Sequence, residues 1–271
     1  MLKPIPYPAF FNAGAVFREV LPAILVLAAF VALWHLAVEA FDVRPFVLPT
    51  PGAVLATFFS NFAEIAKAGL ITATSFVGGF LIASVVGIGL ATLIVLLPTL
   101  GRGIYPLVIA SQTIPVIAVA PLLIIWLGFG AAVKVAIAAI VSFFPIVVSS
   151  VLGFRSVRGS TIELMRALPA SRLTIFRKLM FPSALPTIFA GLRTGSVLAV
   201  IGSVVGEFVA GGDGIAGHII IARSQFQTDR VMADILGLAL LGAVFYGVVA
   251  LIEYWALPWK RLSFKQTRQT G

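Results

Sequence analysis

Few residues in this chain can do chemistry. It has no cysteine, and His35 and His218 are its only histidines, so disulfides, thiolate metal sites and cysteine nucleophiles are excluded and no protein-held metal centre is expected. Gly-Lys never occurs, which rules out a GxxxxGK[ST] phosphate loop. Gly212-Asp213-Gly214-Ile215-Ala216-Gly217 is a literal GxGxxG with Asp234 downstream, but it follows a long apolar run rather than a strand. It reads as a flexible turn in which Asp213-Gly214 supplies the bend. No cluster of His, Cys or acids suggests an enzyme. Two features remain: Arg193 and Glu207, ionisable groups inside an apolar stretch, and the polar segment 163–182, ELMRALPASRLTIFRKLMFP.

The elements that must position them are set by lipid. The 271 residues are 60% hydrophobic and only 11% charged, against roughly 25% in soluble domains. A bilayer core about 30 Å thick takes about 20 apolar residues per helix. Runs free of Asp, Glu, Lys and Arg cover 20–38 (with His35 inside), 70–97, 103–133, 135–154 and 235–252, and a less clean run, 183–209, contains Arg193 and Glu207. These predict an all-α integral membrane protein of six spans, because every backbone amide in lipid needs an internal partner and the runs lack the alternation of a barrel. The third span is expected to be one helix ending at Gly128-Phe129-Gly130. Pro106, Pro115, Pro121 and Pro145 can each bend a helix and so favour a cavity lining.

The net charge of +9 belongs to the loops. With the N-terminus inside, thirteen of the nineteen Lys and Arg fall on the cytoplasmic side and five, including Lys134, outside, so both ends are expected in the cytoplasm. The same count argues against a nucleic-acid partner. Spans two to four carry no midplane ionisable group in their uncharged runs, which disfavours proton or sodium coupling.

Segment 163–182 then lies in the longest cytoplasmic loop. Ser160-Thr161-Ile162-Glu163 fits a capping box, so a helix is expected to start there, with Leu164, Met165 and Leu168 on one apolar face beside Glu163 and Arg166. Pro169 should end it in a fixed elbow. Ser171 can cap a second short helix through Arg172, Arg177 and Lys178 that stops near Pro182. Physics leaves two uses open: an interfacial helix among lipid headgroups, or a helix that docks into a groove of a soluble partner.

The segment resembles the EAA loop of bacterial ABC importer permeases. Glu163 stands at the acid, Pro169 at the glycine and Leu179-Met180-Phe181-Pro182 at the I-x-L-P end, with only Glu163 and Pro182 identical to the pattern. Residues 111–130, SQTIPVIAVAPLLIIWLGFG, are similar to the third-span signature of permeases for nitrate, sulfonate, taurine and vitamin precursors. Gly191-Leu192-Arg193, Gly206-Glu207-Phe208 and the stretch 211–234 follow in the same order, so the likeness covers about 55–260.

The resemblance implies a type I ABC importer permease in the bacterial cytoplasmic membrane. It divides the chain into a tail, first span and outer loop (1–54), a permease domain (55–260) with a coupling loop (155–182), and a tail (261–271). It implies a second permease subunit in a homodimer, two cytoplasmic ATPase subunits and an extracytoplasmic binding protein. ATP and magnesium belong to the ATPases, and the chain itself needs no cofactor. The coupling residues would be Ser160, Glu163, Leu164, Met165, Arg166, Leu168, Pro169 and Arg172. For the pathway or gate the polar and aromatic candidates are Ser111, Gln112, Thr113, Ser142, Phe143, Ser149 and Glu207, while Arg193 is expected to reach toward the cytoplasmic interface. FFPI at 143–146, ELMRAL at 163–168 and VVGEF at 204–208 look closer to the hydroxymethylpyrimidine and riboflavin branch than to the sulfonate branch. The alternative is a stand-alone secondary transporter or channel.

Overall fold

The structure, a computed structural model, describes residues 13–167 and 171–259; the side chains of residues 13–20 and of Arg166 lie outside that description. The expected class is borne out: the described residues form helices and no strand. In chain order these are α1 (Ala13–Ala40), α2 (Pro51–Ser60), α3 (Phe62–Leu96), α4 (Pro98–Ser111), α5 (Val116–Leu127), α6 (Ala131–Arg155), α7 (Gly159–Ala167), α8 (Arg172–Ile175), α9 (Phe181–Ala210), α10 (Ile215–Ser224) and α11 (Thr228–Ala256). A π-helical turn, Phe176–Met180, joins α8 to α9.

Five helices are long and apolar enough to cross a bilayer, and α4 with α5 makes a sixth span if the pair is counted as one. That span departs from the expected single helix. Its halves meet at 101°. Pro115 has no amide hydrogen and disfavours a helical residue before it, so the chain leaves α4 through tight turns: Gln112, Thr113 and Ile114 donate to carbonyls three residues back. Pro115 then stands extended as the N-cap of α5. Pro106 and Pro121 sit inside helices without breaking them. The expected end at Gly128-Phe129-Gly130 is present, with Gly128 and Gly130 at φ +74° and +121°.

The described residues fall into two compact units. One comprises the described residues 13–62 with Ala222–Ala233. In it the Thr50 hydroxyl caps α2 by accepting from the Ala53 amide, the Thr57 hydroxyl donates to Asp229 at 2.8 Å, and the Thr228 hydroxyl donates to the Phe46 carbonyl.

The other unit, the described residues of 63–221 and 234–259, is built on α6 and α9. Lipid supplies no hydrophobic force between helices, so close approach must come from small residues. Gly191, Gly195, Gly202 and Gly206 form two GxxxG pairs on α9. A Cβ on each would meet Ser149 Cβ at 2.5 Å, Ile146 at 2.9 Å, Ala138 Cα at 2.8 Å and Lys134 Cα at 2.8 Å respectively. Gly79 on α3 presses on Ala138 Cβ in the same way, at 2.6 Å. Helix α6 is thus gripped along its length. Phe154, Val147 and Ile188 fill one end of this core, Phe76, Phe80 and Ile146 the middle with Phe245 of α11 packed on them, and Val133, Ile137 and Leu123 the other end.

Candidate functional site

The loop between α6 and α9 holds the expected coupling residues. Helix α7 opens one residue before the expected start: the amides of Thr161 and Ile162 donate to the Arg158 carbonyl at 3.0 and 3.3 Å. Ser160 therefore lies inside the first turn, and the expected Ser160–Glu163 capping box is not formed. Glu163 and Leu164 are exposed, Leu164 to 67%, and Met165 is half-buried. Leu168 and Pro169, with the expected elbow, lie outside the described residues, as does the Arg166 side chain.

Beyond them Ser171 caps α8 as expected, its hydroxyl accepting from the Thr174 amide at 3.2 Å, and Arg172 is exposed. The second loop helix does not stop near Pro182. The Phe181 amide donates five residues back to Phe176, and the helix runs on from Arg172 to Ala210, 39 residues in all. A proline ring crowds the preceding turn and offers no hydrogen; a widened π turn accommodates both defects. Phe154, Phe176 and Phe181 pack around this turn with ring centroids 5.1 to 6.3 Å apart.

The pathway candidates do not converge on one point. Ser111, Gln112 and Thr113 lie at the bend between α4 and α5, where Gln112 and Thr113 are exposed and the two hydroxyls donate to carbonyls three residues back. Ser142 is buried and donates to the Ala138 carbonyl at 2.6 Å. Ser149 faces Gly191 at the α6–α9 contact. Phe143 packs edge-on against Phe144.

Glu207 is fully buried near the far end of α9. Its Oε2 accepts from the Ala216 amide at 3.0 Å and its Oε1 from the Thr72 hydroxyl at 2.8 Å, while the Thr72 Oγ1 accepts from the Ile215 amide at 3.0 Å. The first amides of α10 are thereby satisfied by side chains of α9 and α3, as a helix N-terminus requires. The GxGxxG stretch does cradle an anion, and the anion is the chain's own carboxylate. The expected bend at Asp213-Gly214 is present, with Gly212 at φ +138°, and these contacts pin it in place. A Cβ at Gly214 would run into Glu207 Oε1, and one at Gly217 into the Gly212 carbonyl oxygen. Lys134, counted as an outer-loop charge, is 5% exposed and brings its Nζ over Gly212. Sequence reasoning missed Thr72 and Lys134, which lie far from Glu207 in the chain.

Arg193 is paired with a neighbouring helix. Its Nε lies 2.6 Å from Glu253 Oε2 of α11, and its guanidinium sits 5.8 Å from the Tyr246 ring centroid. Removing one partner of a buried pair strands the other charge. Arg193→Leu alone is expected to cost about 3 kcal/mol, and the double variant Arg193→Leu, Glu253→Leu to recover most of that, as read by denaturant unfolding in micelles.

Comparison with known proteins decides the family. Residues 79–258 match the family described as "Binding-protein-dependent transport system inner membrane component". The chain belongs to this permease family. The permease is 35% identical over 242 residues to the riboflavin transport system permease protein of Chloroflexus aurantiacus, covering 89% of this chain and 90% of that one. It is 31% identical to the formylaminopyrimidine transport permease protein of Halalkalibacterium halodurans (90% and 97% covered), and 30% identical to a putative aliphatic sulfonates transport permease protein of Bacillus subtilis (88% and 87%). It is therefore an ABC importer permease of type I fold, a multi-pass protein of the inner membrane in a system that also has ATPase and substrate-binding components.

Proposed function

We propose that this permease forms half of a two-subunit pathway, receives a small organic nutrient from an extracytoplasmic binding protein, and is driven by two cytoplasmic ATPase subunits that hold ATP and magnesium. The observation that carries the reading is the unbroken helix from Arg172 to Ala210, which makes the loop and the span one lever. Helix α7 offers the exposed Leu164 beside Glu163 to a cleft of the ATPase, and Ser160, Met165, Arg166, Leu168, Pro169 and Arg172 are the other residues assigned to coupling. Closure of the ATPases on ATP then swings α9 and its packed partner α6 as a rigid body.

Both termini lie in the cytoplasm on this reading. The charge count supports that orientation, as does an even number of crossings when α4 and α5 form one span. The break at Ser111, Gln112 and Thr113 lines the pathway, since interrupted helices at membrane depth are tolerated where they border a cavity. The half-buried Phe143 and Ser149 line the α6 side of it, while Ser142, fully buried, supports that helix from within the core.

The cargo is a flat heteroaromatic vitamin or vitamin precursor of the riboflavin or pyrimidine kind. The names of the relatives at 35% and 31% identity support this, with the resemblance at 143–146, 163–168 and 204–208. Calorimetry on the partner binding protein tests it. Saturable binding of riboflavin or an aminopyrimidine is expected, and binding of an alkanesulfonate, taurine or nitrate instead would refute the cargo.

A further inference from the structure

We propose that α10 is an outer gate element and that Glu207, with Thr72, is the joint that makes it move with α9. The proposal rests on the orientation and coupling given above and goes beyond them, because it assigns an output to the far end of the lever. At one end α9 is continuous with α8 of the loop. About 39 residues at 1.5 Å each carry it roughly 58 Å. Three residues before its other end stands Glu207, and the carboxylate holds the first turn of α10.

The joint is built to be stiff. Two side chains from two helices satisfy two successive amides, at Ile215 and Ala216, and the Thr72 hydroxyl ties the two side chains to each other. Ser203, one turn back on α9, donates to the Thr72 carbonyl at 3.3 Å. Lys134 closes the loop from α6, over Gly212. Thr72, Ser203, Glu207, Ile215 and Ala216 are all buried, and an unsatisfied amide or carboxylate there is costly, so α10 cannot drift from α9 without losing several bonds together. Gly214 and Gly217 complete it: no larger residue leaves room for the carboxylate or for the Gly212 carbonyl. A pathway ligand has no access to Glu207. Its role is therefore positioning.

The chain contains no cysteine, so a single cysteine reports cleanly. Arg223→Cys places one at the exposed end of α10. In the assembled transporter in nanodiscs, its labelling rate by a membrane-impermeant maleimide is measured without nucleotide and in an ATP-trapped state. The two rates are expected to differ about fivefold or more, the low end of a coupling between sites. The difference should disappear with Thr72→Val and with Gly214→Ala, which crowds the carboxylate while leaving Glu207 and Thr72 in place. It should survive with Thr72→Ser, which keeps both bonds. A merely structural joint would lower the yield of these variants and leave the ATP response of the folded fraction intact. That result overturns the proposal, as does an ATP-insensitive rate in a transporter that imports its cargo. Absence of ATP-driven import in the parent transporter would instead overturn the coupling reading on which the gate depends.

Discussion

Replacing Gly202 by leucine is expected to separate α6 from α9 and to leave little folded permease. A Cβ there would meet Ala138 Cα at 2.8 Å, the Ile137 carbonyl oxygen at 3.1 Å and Val141 Cβ at 3.2 Å. Two of these three are backbone atoms, and no flexible side-chain tip can move aside. Overpacking of a closed core costs about 1–3 kcal/mol, and contact with backbone places this case at the upper end or beyond. The loss falls on the pair that organises the larger unit, so it is not local. Gly202→Leu should lower the unfolding midpoint in detergent and the monodisperse yield on size exclusion. Gly89→Ala is the control: nothing lies within 4 Å of that Cβ, and alanine in a helix gains about 0.5–1 kcal/mol over glycine. Equal yields of the two variants would show that the GxxxG face is not what holds α6 to α9.

Leu164→Asp is expected to abolish import while leaving the permease folded. Leu164 is 67% exposed in the isolated chain, so a polar residue there changes stability by no more than about 0.5 kcal/mol. In an apolar cleft of a partner, an aspartate would be desolvated without a mate. Losing such an anchor typically costs 2 kcal/mol or more, about a thirtyfold weaker complex. Co-purification of the ATPase and ATP-driven uptake should both collapse, with an unchanged thermal transition of the permease alone. If the ATPase still binds at wild-type strength, α7 is not the docking helix. The interfacial reading, in which α7 lies among headgroups, would then gain.

Much of the fold was legible because lipid leaves few choices. The uncharged runs at 135–154 and 235–252 fall within α6 and α11, and the run at 70–97 lies in α3 up to Leu96, since backbone amides in hydrocarbon permit little else. The break at Pro115 was not separable from Pro106 and Pro121 by proline alone. The added signal was the polar triplet Ser111-Gln112-Thr113, one residue before it. The continuation of α8 into α9 was hidden, because a π turn that absorbs Pro182 leaves no mark that a sequence pattern records. The GxxxG pairs at 191/195 and 202/206 were visible as spacing, but their partner on α6 was not.

The candidate sites divide in the same way. Ser171 reads as a cap because its amide partner is three residues on. Glu207 stood out as an expensive intramembrane acid, yet its partners are Thr72 on α3 and the amide of Ala216 beyond a glycine turn. Only tertiary structure brings those together. The glycines of 212–217 serve two needs: Gly212 takes the positive φ of the expected turn, while at Gly214 and Gly217 other atoms occupy the space of a side chain.

Import through this chain is expected to be powered by a partner's ATP hydrolysis. The direct measurement is cargo uptake into proteoliposomes holding the permease with or without its ATPase, supplied with the loaded binding protein outside and ATP or a non-hydrolysable analogue inside. Uptake is expected only with the ATPase and hydrolysable ATP together. Uptake by the permease alone, driven by a cargo or ion gradient without ATP, would contradict the account and make the chain a secondary transporter or channel.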